Sequence, residues 1–310
     1  MCEHEPLEYK LGVTEVPDRL DKILARLLPQ HSRSRLQGWI EEGHVLLNGR
    51  AAKVKQAAGP GDVITVHPQT APEDRAFTPQ AVTFGVVAEN QQWIVVDKPA
   101  GLVTHPGAGN WEGTLLNGLL YRYPELARVP RAGIVHRLDK DTSGVMVVAR
   151  TEEAQTHLVR QLQARTVHRE YLALAHGRLE GSGTVDREIG RDPAVPVRMS
   201  VERPIAPKPA ITHYQSLRHG RAGDAGPVTE AVCRLETGRT HQIRVHLASL
   251  RHPLVGDELY GGRMIAGATR QMLHARALSF DDPAGTGTVS FQAPLPADFE
   301  AVMAGIEWET

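Results

Sequence analysis

The sequence predicts an α+β protein of two domains. Apolar and β-branched runs typical of buried strands occur at residues 93–97, 144–148 and 171–175. Helical patterns interrupt them near residues 113–122, 151–163 and 240–250. Because strands and helices follow no strict β-α-β order, an α+β fold is favoured over a doubly wound parallel sheet. The Pro-rich polar stretch at residues 68–80 is typical of a linker to a shorter N-terminal module.

The N-terminal module is expected to begin with two helices. Apolar residues recur at i, i+3, i+4 and i+7 within residues 20–27, which places them on one helix face, and Pro29 ends the pattern. The second helix has Ser32 or Ser34 as its N-cap and stops at Gly43, because glycine tolerates the left-handed backbone of a helix end.

A small β element follows these helices. An apolar run at residues 45–47 is closed by Asn48-Gly49, a hairpin signal, and a second run lies at residues 63–66. The expected domain boundaries are residues 1–75 for the module, with its linker at about 68–80, and residues 81–310 for the larger domain.

Composition indicates a soluble, cytoplasmic protein without a membrane partner. The chain has 310 residues, 41% of them hydrophobic, which suffices for a substantial core. No apolar run approaches the roughly eighteen residues of a membrane span, and residues 1–5 lack the pattern of a secretory signal. Cys2 and Cys233 show no CxxC or zinc-ribbon spacing, so reduced thiols are expected.

Charge is distributed unevenly along the chain. The net charge of −1 does not by itself indicate a nucleic-acid partner. Residues 31–55, however, contain five Lys or Arg against two acids, whereas the last thirty residues contain six acids and no Lys or Arg. A basic N-terminal face is therefore hidden in the total.

The densest cluster of reactive side-chain types lies at residues 133–144, with the sequence GIVHRLDKDTSG. An apolar strand is expected to enter this loop and a β-branched strand to leave it. Such a loop is a rigid mount for reactive groups, because the strands fix its position while the loop stays accessible. Taken alone, the pattern would equally fit a salt-bridged turn.

The loop resembles the hallmark H-R-L-D-x-x-T-S-G of the pseudouridine synthases that act on large-subunit ribosomal RNA, through residues 136–144. Other stretches that match this family occur at residues 105–110 (HPGAGN), 169–171 (REY), 236–246 (ETGRTHQIRVH), 252–257 (HPLVGD) and 260–262 (YGG). The resemblance spans nearly all of residues 85–295, and residues 19–49 resemble an S4 RNA-binding domain.

This resemblance implies a catalytic domain with a mixed, largely antiparallel β-sheet, preceded by a small S4 domain. It also implies that selected uridines of large-subunit ribosomal RNA are isomerised to pseudouridine. Members with type D specificity are most similar, chiefly through residues 105–110 and 129–135. Type C specificity, or the same chemistry on transfer RNA, is the alternative.

Pseudouridine formation breaks an N-glycosidic bond, turns the uracil and rejoins it through carbon. An ionised carboxylate can serve as a nucleophile or as a base at the ribose. The resemblance implies that this carboxylate is Asp139, with Asp141 a solvated loop charge. It further implies that Arg239 pairs with Asp139, because a carboxylate in a closed site needs a positive partner to stay ionised. A phosphate contact is the alternative for Arg239.

The resemblance assigns three further side chains to the substrate. Extrusion of a uridine costs roughly a few kcal/mol, and Arg137 is expected to fill the vacated space, unless it forms a structural salt bridge. Tyr171 would stack on the flipped uracil, where the alternative is a core tyrosine, and Ile243 would line the uracil pocket from a helix. His136 is placed beside the substrate. With His241, it is expected to be structural rather than a metal ligand.

On the N-terminal module, Lys22, Arg33 and Arg35 are expected to contact phosphates, the alternative being a solvated basic face. The expected partner is large-subunit ribosomal RNA or its assembly intermediates, bound by a monomer. The chain has no P-loop or dinucleotide fingerprint, and the reaction is redox-neutral. No cofactor and no metal are expected.

Two other functional classes compete with this interpretation. A non-catalytic ribosome-associated RNA-binding protein would not be expected to keep Asp139, Arg239 and Tyr171 together. A hydrolase that uses His136 or Ser143 is disfavoured because no G-x-S-x-G motif is present.

Overall fold

The computed structural model describes residues 5–69, 76–107 and 109–309. Cys2, Ala108 and residues 70–75 of the predicted linker lie outside these ranges. The chain divides into two compact units, residues 1–74 and 75–310. Both units combine helices with strands, so the α+β prediction is confirmed. No helix within the described ranges is long and apolar enough to cross a membrane.

The first unit is a small α/β module. Its elements within residues 5–69 are, in chain order, β1 (Leu7–Lys10), β2 (Asp18–Arg19), α1 (Leu20–Leu27), α2 (Arg33–Glu41), β3 (Val45–Leu47), β4 (Arg50–Ala51), β5 (Ala57–Ala58) and β6 (Val63–Val66). Four strands form a sheet in the order β1-β6-β3-β4, and β2 pairs with β5.

The predicted helices and hairpin of this unit are confirmed. Helix α1 buries its apolar face, and Ser32 caps α2 by accepting the backbone N–H of Arg35 at 3.3 Å. Gly43 follows α2 with φ +82°, and Asn48 and Gly49 turn the chain between β3 and β4 with φ of 53° and 72°. Local turn chemistry thus fixes where each element stops.

A buried carboxylate joins the two helices of the first unit. Asp21 on α1 accepts hydrogen bonds from Arg33 at 2.6 and 3.0 Å and from Gln37 at 2.7 Å, both on α2. Arg19 adds two bonds at 3.1 Å. Burial alone would raise the pKa of Asp21, but these donors lower it to about 2. The carboxylate is therefore ionised at neutral pH and ties α1 to α2.

We expect Asp21→Asn to destabilise the first unit by about 2 kcal/mol, because several donors lose their charged acceptor. The stabilisation from the ionised carboxylate is present above the ordinary pKa of 3.8 and is lost as the pH falls toward 2. The difference between wild type and variant should therefore shrink over that window. Hydrogen exchange of the α1 and α2 amides at pH 7 and pH 3 measures it.

The matched control is Glu15→Gln, which removes an exposed ion pair with Arg26. Such pairs contribute less than about 1 kcal/mol. Equal loss of protection in both variants would contradict the structural role of Asp21.

The second unit is built on one large sheet. Its helices and strands within residues 76–107 and 109–309 are β7 (Gly85–Glu89), β8 (Trp93–Lys98), α3 (Leu115–Arg122), β9 (Ser143–Ala149), α4 (Glu152–Ala164), β10 (His168–His176), β11 (Ser182–Asp186), β12 (Ile189–Arg191), β13 (Met199–Ser200), β14 (Ile205–Lys208), β15 (Ile211–Arg221), β16 (Pro227–Leu235), α5 (Gln242–Ser249), β17 (Leu273–Asp281), β18 (Thr288–Gln292), α6 (Ala297–Ala304) and β19 (Glu307–Trp308). Short 3-10 helices occupy Pro124–Arg128, Pro130–Gly133, Gly223–Ala225 and Glu258–Tyr260.

The large sheet has the strand order β11-β15-β16-β10-β17-β9-β8-β7, with β18 beside β17 and β19 beside β15. Within the described residues, β9 and β17 pair in parallel and the other neighbours pair antiparallel. The mixed, largely antiparallel sheet is therefore confirmed. A separate small sheet has the order β13-β12-β14. Cys233 on β16 is a buried free thiol, and burial raises its pKa to about 12.

The expected strand before the loop at residues 133–144 is wrong. The 3-10 helix Pro130–Gly133 leads into the loop instead, followed by a single β-bridge at Ile134. Gly133 has φ +75°, and a Cβ there would lie 1.8 Å from the carbonyl oxygen of Ala149. The chain therefore turns tightly against β9. The apolar residues before the loop pack in this turn and do not form a strand.

Candidate active site

The loop that carries Asp139 is held by hydrogen bonds to its backbone carbonyls. Thr104 Oγ1 donates to the carbonyl of Leu138 at 2.8 Å, and Lys98 Nζ donates to that of Lys140 at 2.9 Å. Lys98 is fully buried, and burial lowers its pKa to about 7 although the charge of Asp139 opposes the shift. The residues on both sides of Asp139 are thus fixed from outside the loop.

The end of the loop is held by Arg270. Its Nη1 donates to the carbonyl of Asp141 at 2.9 Å, while Nε and Nη2 bind Asp298 at 2.6 and 3.0 Å. At Gly144 the chain passes close to β17, where a Cβ would lie 2.1 Å from the carbonyl oxygen of Ala275. Because Gly144 also has φ +113°, only glycine suits this position.

Asp139 belongs to a buried ion network. Nη1 of Arg244 lies 3.2 Å from Oδ2 of Asp139, and Nε and Nη2 of the same guanidinium donate to Asp257 at 2.7 and 2.9 Å. Burial alone would lower the pKa of Arg244, but the bonds to Asp257 and the charge of Asp139 hold it above its ordinary value. Asp257 is buried, whereas Asp139 is half-buried and opens into a cavity.

The expected pairing of Arg239 with Asp139 is wrong. Arg239 lies on an exposed turn before α5, and its Nε donates to the carbonyl of Pro209 at 3.0 Å. Arg244 lies inside α5, which turns it toward the loop. One sequence signal was missed: an arginine between two apolar residues of a buried helix needs a buried carboxylate partner.

The cavity above Asp139 has a volume of about 560 Å³. It is lined by all six residues of the larger domain that the sequence analysis assigned to the site, which are His136, Arg137, Asp139, Tyr171, Arg239 and Ile243. It is also lined by Arg169, His241 and Arg244, which had been given no part in the reaction. The geometry brings the assigned residues together, while their individual roles stay predictions.

Tyr171 and Arg169 reach the cavity from β10. Tyr171 is buried, and burial raises the pKa of its hydroxyl. Arg169 Nη2 donates to the carbonyl of Glu236 at 3.1 Å, and a Cβ on Gly238 would lie 2.7 Å from Arg169 Nη1. Arg169 therefore supports the turn that precedes α5.

His136 has a structural partner. Its Nε2 accepts the backbone N–H of Val147 at 3.1 Å, and burial, aided by the charge of Arg169, lowers its pKa to about 3. A neutral imidazole that braces β9 is a poor proton shuttle near pH 7. Within the described residues, no group of three or more His, Cys, Asp or Glu side chains forms a metal-binding cluster.

The three cations assigned to RNA in the first unit already have partners. Arg33 binds Asp21, Arg35 Nη2 donates to the carbonyl of Gln69 at 2.8 Å, and Lys22 forms an i,i+4 ion pair at 3.4 Å. Each side chain is nonetheless still partly accessible. Phosphate contact by these residues therefore stays a prediction. Arg33 also has a structural role, because it binds the buried carboxylate of Asp21.

Three other cations of the first unit are better placed. Arg50, Lys53 and Lys55 are exposed and line an open hollow of about 890 Å³. They form no salt bridge in the part of the chain that the structure describes. Such side chains can meet phosphate without losing an existing partner.

Comparison with known proteins agrees with this geometry. The RNA pseudouridylate synthase family model matches residues 92–249, and the S4 domain model matches residues 18–64. The chain therefore belongs to the RNA pseudouridylate synthase family, whose members convert uridine in RNA to pseudouridine.

Among its relatives, a protein of Nitrosomonas europaea is 49% identical over 94% of this chain and 86% of its own. A protein of Xanthomonas campestris pv. campestris is 46% identical over 97% of this chain and 94% of its own. Both are named ribosomal large subunit pseudouridine synthase D. Of the solved structures, human RNA pseudouridylate synthase domain containing 1 has a TM-score of 0.59 and 31% identity, covering 74% of this chain and 91% of its own.

We expect Arg244→Met to slow pseudouridine formation at least about 100-fold, because the reaction loses a preorganised charged donor at the carboxylate. Arg239→Ala should slow it less than about tenfold, because an exposed cation affects only RNA contact. Tritium release from RNA labelled at uracil C5 measures the rate, since C5 becomes the glycosidic carbon. Circular dichroism checks folding, and a larger loss from Arg239→Ala than from Arg244→Met would contradict the assignment.

Proposed function

We propose that this enzyme isomerises specific uridines of large-subunit ribosomal RNA, with type D-like specificity and Asp139 as its catalytic carboxylate. The observation that carries the residue assignment is the carboxylate of Asp139 on a clamped loop, 3.2 Å from Arg244 and open to the cavity. The two bacterial relatives, similar over nearly the whole chain, support the choice of RNA. We place the enzyme in the cytoplasm, acting as a monomer on ribosomal RNA or an assembly intermediate.

The cavity accepts one nucleotide that has left the RNA stack. The ring of Tyr171 offers the uracil a stacking surface, a contact that contributes about 1–3 kcal/mol per base in nucleic-acid complexes. Ile243 supplies an apolar wall. Arg137 is exposed at the cavity and fills the space that the uridine vacates, which offsets part of the cost of extrusion.

Asp139 then acts at the ribose, as a nucleophile at C1′ or as a base at C2′. In both routes the C1′–N1 bond breaks and its electron pair leaves with the uracil. The uracil turns and C5 bonds to C1′, after which the proton on C5 is lost. In the nucleophile route the ester bond between Asp139 and C1′ breaks as C5 attacks. In the base route the proton that Asp139 took from C2′ returns to C2′ as the new bond forms. Both routes require an ionised carboxylate, and Nη1 of Arg244 lies 3.2 Å from Oδ2 of Asp139.

The two units divide the work in this proposal. Residues 81–310 carry the chemistry, and residues 1–75 bind RNA through phosphate contacts. Arg50, Lys53 and Lys55 form the main contact surface, and Lys22 and Arg35 contribute further phosphate contacts. Phosphate contacts fix the position of the RNA without reading its bases.

Asp139→Ala should abolish pseudouridine formation while leaving folding and RNA affinity nearly unchanged. Chemical mapping of pseudouridine in large-subunit ribosomal RNA, incubated with each protein, measures this. Asp141→Ala is the matched control, two residues further along the same loop, and should keep most of the activity. An active Asp139→Ala enzyme would overturn the mechanism. If the wild-type protein modified other RNAs but left large-subunit ribosomal RNA unmodified, the proposed substrate would be wrong.

Replacing Arg50, Lys53 and Lys55 together by Ala should weaken RNA binding and reduce its salt dependence. Each lost phosphate contact lowers the slope of log affinity against log salt by roughly 0.7–0.9. Filter binding at several salt concentrations measures the slope. The control replaces Glu8, Glu41 and Glu42 by Gln, three exposed acids of the same unit. An unchanged slope in the cation variant would show that RNA does not contact this hollow.

A further inference from the structure

His241 stands in a costly backbone conformation at the edge of the cavity. It immediately precedes α5, with φ 56° and ψ 21°, the left-handed region that a residue with a Cβ seldom adopts. Such a conformation is strained and recurs at functional sites. The same turn brings the imidazole to the wall of the cavity that contains Asp139. The strained backbone of His241 therefore positions its side chain at the catalytic cavity.

The tautomer of His241 is set by Tyr260. The Tyr260 hydroxyl lies 2.7 Å from Nδ1 of His241 and accepts the backbone N–H of Met199 at 2.9 Å. A hydroxyl has one proton, and within the described residues Nδ1 is the acceptor in reach of it. Burial raises the pKa of Tyr260 to about 12, so the hydroxyl keeps that proton at neutral pH. Tyr260 therefore donates to Nδ1.

The remaining nitrogen of His241 is then a donor. Burial lowers the pKa of His241, against the charge of Asp139, so the ring is neutral and carries its one proton on Nε2. Nε2 has no hydrogen-bond partner among the described residues. A half-buried N–H without a partner, on the wall of the catalytic cavity, is available to substrate.

The orientation of this donor is fixed before substrate arrives. The rings of His241 and Tyr260 pack edge to face, with centroids 5.6 Å apart and planes at 82°. The guanidinium carbon of Arg244 lies 5.0 Å from the centre of the Tyr260 ring. Tyr260 thus packs against both the arginine that binds Asp139 and the histidine that faces the cavity.

We propose that Nε2–H of His241 donates a hydrogen bond to a carbonyl oxygen of the extruded uracil, with Tyr260 as its positioning residue. The inference rests on the proposed function, because it requires a uracil in this cavity. When the C1′–N1 bond breaks, the electron pair leaves with the uracil and negative charge develops on its carbonyl oxygens. A preorganised donor aimed at such an oxygen stabilises that charge more than it stabilises the ground state.

The test uses a synthetic stem-loop that contains a uridine found by the mapping described above. The target nucleotide is made as uridine, 2-thiouridine or 4-thiouridine, because sulphur accepts hydrogen bonds poorly. Single-turnover rates are measured with wild type, His241→Leu, His241→Gln and Tyr260→Phe. The side-chain amide of glutamine places an N–H near the position of Nε2, so it is the conservative variant.

We expect His241→Leu to slow the reaction of uridine about 10–100-fold, the effect of removing one such donor. One of the two sulphur substitutions should slow wild type, and its effect should be about tenfold smaller in His241→Leu. His241→Gln should recover most of the rate and the sensitivity to sulphur. Tyr260→Phe should lower the rate without changing RNA affinity, since the proton of His241 is then shared between Nδ1 and Nε2.

A wild-type rate for His241→Leu, or equal sulphur effects in both proteins, would overturn the inference. Turnover of unmodified stem-loop by wild type but not by Asp139→Ala reports the proposed function separately. Thermal melting checks each variant. If His241→Leu does not fold, His241→Gln and Tyr260→Phe still test the inference on the two sulphur-containing RNAs. Loss of sulphur sensitivity in His241→Gln would contradict the role of the N–H.

Discussion

The guanidinium of Arg244, buried between Asp257 and Asp139, is the interaction on which the site depends. Removing three charges from water is costly, and the cost is met only if the charges are paired with good geometry. Asp257 takes two of the nitrogens and has almost no contact with solvent, whereas Asp139 takes the third and faces the cavity. One carboxylate therefore anchors the arginine, and the other is left available to react.

The surrounding fold holds the partners of this network at the required distance. Asp139 lies on a loop, and a loop alone would not hold a carboxylate 3.2 Å from a guanidinium on a separate helix. The buried amino group of Lys98 and the close approach of Gly144 to β17 remove that freedom. The parallel pairing of β9 with β17 places Ser143 and Gly144, at the end of the loop, beside His274 and Ala275. The loop is held by side chains that donate to its backbone carbonyls and by the close backbone approach at Gly144.

The sequence predicted local structure well and side-chain pairing poorly. Helix α1 and the Asn48-Gly49 turn were predictable because apolar spacing and turn chemistry act over a few residues. The ion pair of Asp139 joins residues 105 positions apart, and the choice between Arg239 and Arg244 depends on where α5 begins. The motif at residues 236–246 contains both arginines, but the sequence analysis assigned the pairing to Arg239 alone. Arg33 shows the same limit, since its partner Asp21 is set by helix packing.

Selection of particular uridines must come from outside the cavity. A pocket that recognises uracil and ribose meets the same groups at every uridine in an RNA. In the proposed function, Tyr171, Ile243 and His241 therefore do not distinguish one site from another. Phosphate contacts position the RNA, and its shape and splayed bases supply the discrimination. The net charge of −1 gives the whole chain little attraction for arbitrary RNA. A local basic surface can still bind phosphate at the correct site. Specificity and chemistry can therefore change independently in this architecture.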